Sequence, residues 1–148
     1  MITLREVLLL LTVLAAAVPV RAEPAETEGY KGGEVKITPV AKTTTTSADQ
    51  PIVYPQTTEP EVTFLLVEIP PGGETGWHKH PYPMCVYSLS GELLVEFEGG
   101  KTHQLAAGEA MVEGLNLFHN GKNIGKDPVK LIISVIGEKG KPFTVHKE

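Results

Sequence analysis

Two residue types that often build binding sites, cysteine and arginine, are nearly missing from this sequence. Cys85 is the only cysteine, which excludes an internal disulfide framework and a CxxC metal knuckle. The only arginines are Arg5 and Arg21, so the chain beyond them lacks the side chain that captures a carboxylate or phosphate in a planar, bidentate way. Lysine can still attract an anion as a point charge.

Positive charge is scarce as well. Thirteen Lys and Arg stand against 18 Asp and Glu, which gives a net charge of -5. The basic residues form no stripe or cluster on which a nucleic acid would bind. We therefore expect no nucleic-acid partner.

Aromatic residues make up only 6% of the chain, whereas glycine and proline are plentiful, with 15 and 12 copies. This composition predicts many turns and short strands rather than long helices. With 148 residues, of which 41% are hydrophobic, the chain fits one globular domain and is too short for two of ordinary size.

The longest apolar run lies near the N-terminus, where residues 7–18 are apolar apart from Thr12. Such a run is too short to cross a hydrocarbon core of about 30 Å as a helix. With Arg5 before it and the small residues of Val20-Arg21-Ala22 after it, the run predicts a signal peptide over residues 1–22, and export to the periplasm or the cell exterior. The alternative is an uncleaved N-terminal helix. No second run reaches about 18 apolar residues, so we expect no stable membrane insertion.

The remaining chain divides into a leader and a folded domain. Residues 23–34 are acidic, contain Gly and Pro, and predict a disordered leader, whereas residues 35–148 are expected to form a single domain. A short strand is predicted from Val35 to Val40. The threonine-rich stretch that follows, up to Tyr54, is either a mucin-like linker or an ordered edge element, and the apolar residues at its end favour the edge element.

Strand signals recur regularly after this stretch. The predicted strands are Val62–Ile69, Met84–Leu89, Glu92–Glu98, Lys101–Ala106, Glu109–Glu113 and Val129–Ile136. Short strands every eight to twelve residues without helical periodicity predict an all-β sandwich or barrel.

Three of the five histidines have a spacing that suits a metal site. His78 and His80 are two residues apart, so on an extended strand both imidazoles point to the same face. His119, from a neighbouring strand, is the natural third ligand. Neutral imidazole suits Zn, Cu, Fe and Ni alike. The alternative to a metal site is that His78 and His80 are merely polar residues of a strand. For His119, the alternative is a capping or hydrogen-bonded core histidine. The other two, His103 and His146, are expected to be solvated.

The histidines lie within two glycine-containing motifs. The first runs Gly72, five residues, His78-Lys79-His80, three residues, Met84, six residues, Gly91. The second runs Gly108, five residues, Gly114, one residue, Asn116, two residues, His119, three residues, Asn123. They resemble the paired motifs of the cupin superfamily of small β-barrels, G-x5-H-x-H-x3,4-E-x6-G and G-x5-P-x-G-x2-H-x3-N.

The resemblance covers the stretch from Val62 to Ile136. It implies an antiparallel jelly-roll barrel, the double-stranded β-helix, that holds one divalent transition metal through His78, His80 and His119. It also implies that the protein can pair as a homodimer through its N-terminal strands, here the region from Val35 to Tyr54.

Departures from the motifs affect the expected ligand set. Gly114 and Asn116 replace the Pro and Gly of the second motif, and both residue types are compatible with a turn. Met84 stands where the family usually has its carboxylate ligand, so it is either a thioether ligand or, as we favour, a filler of the core. The nearby carboxylates that offer a substitute ligand or proton acceptor are Glu74 and Glu113, and the sequence favours neither.

Cys85 follows Met84 and, by the alternation of a strand, should face the opposite side of the sheet. We expect it to be a buried small hydrophobe. Some thiol dioxygenases of the cupin superfamily have a cysteine here, but their carboxylate-reading arginine and late tyrosine are missing, which argues against that activity.

Three functions remain open at the level of sequence. The protein is a metal-dependent oxygenase or related oxidoreductase acting on a small organic substrate, a non-catalytic module that binds a metal or small ligand, or a metal-free sugar-binding or structural barrel. The metal is one of Fe, Cu, Zn, Ni and Mn.

Overall fold

The computed structural model describes residues 35–148. The predicted signal peptide (1–22) and leader (23–34) lie outside the described residues. Residues Thr38–Glu148 form one compact unit. Residues 35–37 are exposed and have no regular structure, and the description that follows concerns the compact unit.

Nine strands and no helix are found in residues 35–148. The strands are β1 (Pro60–Ile69), β2 (His78–Lys79), β3 (Met84–Ser90), β4 (Glu92–Phe97), β5 (Thr102–Ala106), β6 (Ala110–Val112), β7 (His119–Asn123), β8 (Val129–Glu138) and β9 (Val145–His146). In this part of the chain no helix is long and apolar enough to cross a membrane.

The strands form two sheets whose ladders are all antiparallel. One sheet has the order β1-β8-β3-β6 and the other the order β5-β4-β7-β2-β9. Burial alternates along the strands, most clearly in β8, because successive side chains of a strand point to opposite faces. The inward faces of both sheets supply one apolar core, which confirms the predicted all-β jelly-roll architecture.

A glycine of the first motif shows why the hairpin between β3 and β4 requires that residue. Gly91 has a φ of +80°, and a Cβ atom there would lie 2.8 Å from Cα of Val129. Only glycine tolerates both the left-handed backbone and the close approach of the neighbouring strand. In the second motif, Asn116 takes the position of the family glycine with a φ of +53°, a conformation that asparagine adopts more readily than most residues.

The strand predicted from Val35 to Val40 is wrong. These residues are exposed and pair with no strand, and Pro39 lacks the N–H that a ladder would need. The threonine-rich stretch is ordered, as an edge element would be: Thr45 bridges to Pro51, and the Ser47 N–H donates to the Val112 carbonyl at 2.7 Å.

The prediction of a buried Cys85 is also wrong. The alternation itself is as expected, since Met84 is only 3% exposed and points inward while Cys85 points outward. On the outer face of β3, Cys85 shares a cavity with residues of the segment from Val40 to Tyr54, but this segment does not bury it, and Cys85 is exposed.

Candidate metal centre

Strand pairing brings the three histidines together. His78 in β2 is paired with His119 in β7, and His80 directly follows the end of β2. The ring centroid of His78 lies 4.7 Å from that of His80 and 4.5 Å from that of His119, and the centroids of His80 and His119 lie 5.1 Å apart. All three side chains are buried. The structure therefore has the convergence of imidazoles that the spacing predicted.

Backbone carbonyls fix the orientation of each imidazole ring. Nδ1 lies 2.7 Å from the Gly76 carbonyl in His78 and 2.9 Å from the Leu117 carbonyl in His119. In His80, Nδ1 lies 2.8 Å from the Phe143 carbonyl. A carbonyl oxygen only accepts, so Nδ1 must carry the proton that it donates, and a neutral ring then presents the lone pair of Nε2.

A carboxylate completes the group. One oxygen of Glu113, Oε2, lies 2.8 Å from Nε2 of His80 and 3.2 Å from Nε2 of His119. The ligand atoms offered by Glu113 and the three histidines all lie within 4.8 Å of one another. Ligand atoms bound to one ion at about 2.1 Å and at right angles lie about 3 Å apart, so the two contacts have the length of edges of a coordination polyhedron.

Sequence reasoning named Glu113 only as one of two substitutes and favoured neither. A signal was present in the strand alternation: Met111 points into the core, and Glu113, two residues later, shares that face. The other substitute, Glu74, instead accepts a hydrogen bond from Asn120 Nδ2 at 2.7 Å and lies outside the four-residue group.

The electrostatics of the group favour a cation among these donors. Burial alone would raise the pKa of Glu113, but the hydrogen bonds and charges of His119 and His80 outweigh it and lower this pKa to about 2. Burial pulls the pKa of His119 down, yet the hydrogen bond and charge of Glu113 raise it above its usual value. For His78, which does not contact the carboxylate oxygen, burial dominates and lowers the pKa. The carboxylate thus stays ionised and attracts positive charge, from a proton or from a metal ion.

A cavity of about 150 Å³ adjoins the four residues. Its other lining residues are mostly aliphatic and include no Lys or Arg: Leu65, Val67, Ile69, Thr75, Met84, Leu93, Val95, Gly121, Leu131, Ile133, Phe143 and Thr144. Met84 belongs both to this wall and to the apolar core, as expected of a residue that fills the core. Its role as a thioether ligand stays a prediction.

The remaining histidines lie outside the group. His103 is on β5 and half-buried, and His146 on β9 is exposed, with its ring centroid 6.3 Å from that of His78. Neither belongs to the four-residue group, as the sequence analysis expected.

Comparisons with known proteins agree with the fold. No curated protein matches the sequence. The family model of the Cupin domain matches residues 65–136. An oxalate decarboxylase from Lactobacillus farciminis, solved as a formate complex, is 23% identical with a TM-score of 0.50, over 57% of this chain and 26% of that one. A DMSP lyase from Ruegeria pomeroyi is 20% identical with a TM-score of 0.51, over 58% of this chain and 43% of that one.

An oxalate oxidase, solved with the substrate analogue glycolate, is 29% identical over 57% of this chain, with a TM-score of 0.48. This chain spans less than half the length of each of these three proteins. The family model, the two motifs and the jelly-roll fold agree that residues 65–136 form a cupin domain.

Proposed function

We propose that the protein is a metal-dependent oxidoreductase of the oxygenase type, in which His78, His80, His119 and Glu113 hold one divalent transition metal. The observation that carries this proposal is the orientation of the donors. Backbone carbonyls hold the three Nδ1 protons, so three Nε2 lone pairs and a carboxylate oxygen face one another in a buried space. Positive charge, either protons on Nε2 or a metal ion, is needed to offset the repulsion between these groups, and the arrangement therefore supports a metal site.

The donor set is compatible with all five metals that the sequence left open. Three imidazoles suit Fe, Ni, Cu and Zn, and a carboxylate extends the range toward the harder Mn. When bound, the metal would act as a Lewis acid with coordination positions open to substrate and O₂. The chain contributes the fixed rings, the negative charge of Glu113 that offsets part of the metal's charge, and apolar walls that exclude bulk water.

The cavity indicates the class of substrate. A cavity of about 150 Å³ is the size of an engineered apolar cavity that binds benzene. The only hydroxyl groups on its wall belong to Thr75 and Thr144, and no basic side chain there neutralises an anion. We infer a small, largely apolar substrate whose one polar end binds the metal.

Two measurements test this function in order. Elemental analysis of the purified protein should find close to one transition-metal ion per chain. Dioxygen uptake by that protein should then rise on addition of a small phenol, diketone or thiol. A metal-free protein that also fails to bind added metal would refute the metal site and leave the sugar-binding or structural barrel.

A non-catalytic metal- or ligand-binding module is the second candidate. The observation in its favour is that the cavity wall holds no general base apart from the four metal-binding residues. A protein that binds one metal ion tightly but consumes no dioxygen with any of the three substrate classes would have this function.

We also propose that the protein is exported, on the evidence of the apolar run, the preceding Arg5 and the small residues at Val20 and Ala22. Amino-terminal sequencing of the protein recovered from the producing cells' exterior or periplasm tests this. A chain that begins at Glu23 is expected, whereas full-length protein confined to the cytoplasm would contradict export.

A homodimer is the proposed assembly. The edge strand β1 carries Val62, Phe64 and Leu66 on its outer face, and these side chains are 56%, 73% and 61% exposed. A contiguous exposed apolar patch on an edge strand favours association with another chain. A second copy would cover this patch on both molecules at once if the two chains are related by a twofold axis.

A further inference from the structure

Glu113, the carboxylate of the four-residue group, does not lie on a strand. It is the first residue of the connection between β6 and β7, residues 113–118, in which an isolated bridge pairs Leu115 with His80. Connections of this kind are more mobile than the strands that they join unless other parts of the chain hold them. The position of the Glu113 carboxylate therefore depends on what holds this connection.

Two residues that are distant in sequence hold the chain on either side of Glu113. One residue before it, the Val112 carbonyl accepts a hydrogen bond from the Ser47 N–H at 2.7 Å. Two residues after it, the side-chain amide of Gln50 binds both backbone groups of Leu115. Nε2 of Gln50 donates to the Leu115 carbonyl at 2.9 Å, and Oε1 accepts from the Leu115 N–H at 2.8 Å. The amide thus pairs with Leu115 as a neighbouring strand would.

Ser47 and Gln50 belong to a turn of nine residues, 44–52, here called the hook. The Ile52 N–H donates to the Thr44 carbonyl at 3.0 Å, and the Thr46 N–H donates to the Gln50 carbonyl at 2.8 Å. The hydroxyl of Thr46, which is buried, also donates to Oε1 of Gln50 at 3.3 Å. The hook therefore has hydrogen bonds of its own that fix the amide of Gln50.

The hook also packs closely against the connection. A crevice between them, which Thr46, Ile52 and Glu113 help to line, has no space for a water molecule. At Gly114, a Cβ atom would lie 3.4 Å from Cβ of Ala48 in the hook and 3.0 Å from Cε1 of Phe97 in the core. The chain next to Glu113 is thus enclosed between the hook and the core.

We propose that the hook is a positioning element of the metal centre and that Gln50, by holding Leu115, keeps the Glu113 carboxylate where the metal ion binds. A ligand that neighbouring residues already hold in place binds a metal more tightly than one that must be ordered first. The hook lies before residues 65–136, which the Cupin domain model matches, so a segment outside that domain completes the site. The proposal rests on the proposed function for its consequence, the metal affinity.

The first experiment measures zinc affinity by calorimetry in the full chain, at a temperature where circular dichroism shows each variant to be folded. Gln50→Met keeps the length of the side chain and removes both hydrogen bonds to Leu115, and the affinity should fall about 10- to 100-fold, as for loss of an outer partner of a metal ligand. Gln104→Met, at an exposed position of β5, is the matched control. Gly91→Ala, which strains a hairpin at Val129, controls for a general loss of stability. Both controls should bind zinc as the unaltered protein does.

Amide hydrogen exchange on the metal-free protein tests the positioning without a metal. The N–H groups of Glu113 and Asn116 donate to the carbonyls of Met84 and His80, at 2.9 and 2.8 Å, and have no direct bond to Gln50. In Gln50→Met both should nevertheless exchange at least about 10-fold faster, because the connection opens locally, while amides in the middle of β8 keep their protection.

Unchanged exchange at Glu113 in Gln50→Met overturns the proposal, and so does an unchanged zinc affinity. An equal loss of zinc affinity in Gly91→Ala also overturns it, since the affinity would then follow stability alone. If Gln50→Met does not fold, the unaltered protein decides, because a Leu115 amide that exchanges as fast as an unstructured peptide is not held by Gln50. Failure of every protein to bind zinc would refute the proposed function, and the exchange rates would still decide whether the hook holds the connection.

Discussion

Glu113 sets the electrostatics of the histidine cluster at the scale of single residues. Its carboxylate contacts two of the three inward-facing nitrogens, and its charge is the only negative one in the group. The histidines were predictable because their spacing repeats a known motif. Glu113 was not, because it stands one residue before Gly114, outside the motif positions that carry ligands, and only the alternation of β6 indicates where it points.

Glu113→Gln should weaken metal binding strongly while keeping the size of the side chain. The amide removes the negative charge that offsets the metal's charge, and we expect a loss of at least 10-fold in affinity by calorimetry. Glu74→Gln is the matched control, since Glu74 lies outside the group, and it should bind as the unaltered protein does. Equal affinities for all three proteins would remove Glu113 from the ligand set.

His119→Ala should strip most of the metal and leave the β-type circular dichroism largely intact. The imidazole supplies one of the four donors, whereas the strand β7 is held by its pairing with β4. His103→Ala, on β5, is the control and should keep its metal. Full metal content in His119→Ala would contradict the assignment.

Met84→Leu should leave the metal content unchanged. The swap conserves volume in the core and costs less than about 1.5 kcal/mol, but it removes the thioether sulfur. A clear loss of metal with an intact fold would instead assign Met84 to the ligands.

The metal-free protein should lose stability at both ends of the pH range because of Glu113 and His119. The pKa of Glu113 lies at about 2, below its ordinary 4.5, so the stability it contributes is lost as pH falls through this interval. The pKa of His119 is raised above 6.5, so its contribution is present at lower pH and is lost as pH rises through the raised value. Urea unfolding across pH measures both, and an identical pH profile in Glu113→Gln would contradict this coupling.

At the scale of elements, local pattern predicted β1, β3, β4, β5, β6 and β8, and it did not predict the bounds of β2, β7 and β9. β3 and β4 were predictable because alternating apolar residues flank a turn signal at Gly91. β7 has the sequence HNGKN, which has neither alternation nor strand propensity, and it is extended because β4 pairs with it along its whole length. β9 has two residues and depends on β2 in the same way. The two strands that pair with β2 beside His78, β7 and β9, therefore depend on tertiary pairing that their own sequences do not encode.

Gly91→Ala should destabilise the hairpin between β3 and β4 more than an alanine at Gly108 does. Both glycines have a similar positive φ, but only at Gly91 would the new Cβ meet Val129, at 2.8 Å, whereas Gly108 has open space. The left-handed strain of about 1–2 kcal/mol is common to both variants, and overpacking adds roughly 1–3 kcal/mol at Gly91 alone. If the two alanine variants lost the same free energy of unfolding, the contact between the new Cβ at position 91 and Val129 would be relieved without cost, and the prediction would be wrong.

At the scale of the whole molecule, composition predicted the all-β class and the paired motifs predicted the barrel. The outer face of the four-stranded sheet was not predictable, because alternation assigns a side to each residue but does not say whether another layer covers that side. Cys85 was misjudged for this reason. The same face carries the exposed apolar side chains of β1 that support the proposed homodimer.

Phe64→Glu should convert the proposed dimer to a monomer in sedimentation experiments. Two buried carboxylates would face an apolar surface, which is costly without a partner charge. Ile124→Glu, at a site that is 47% exposed and outside the four-stranded sheet, is the control and should remain dimeric. A protein that is already monomeric at micromolar concentration before substitution would contradict the assembly.

The acceptors that orient the three imidazoles are main-chain atoms, and this has a consequence for how the protein can evolve. No single amino-acid replacement deletes a backbone carbonyl group, so the hydrogen bonds that orient the three imidazoles can persist when the surrounding side chains change during evolution. The aliphatic residues that line the cavity can therefore be replaced one at a time, so that the cavity accepts new substrates. The geometry of the three histidine rings is kept through such changes.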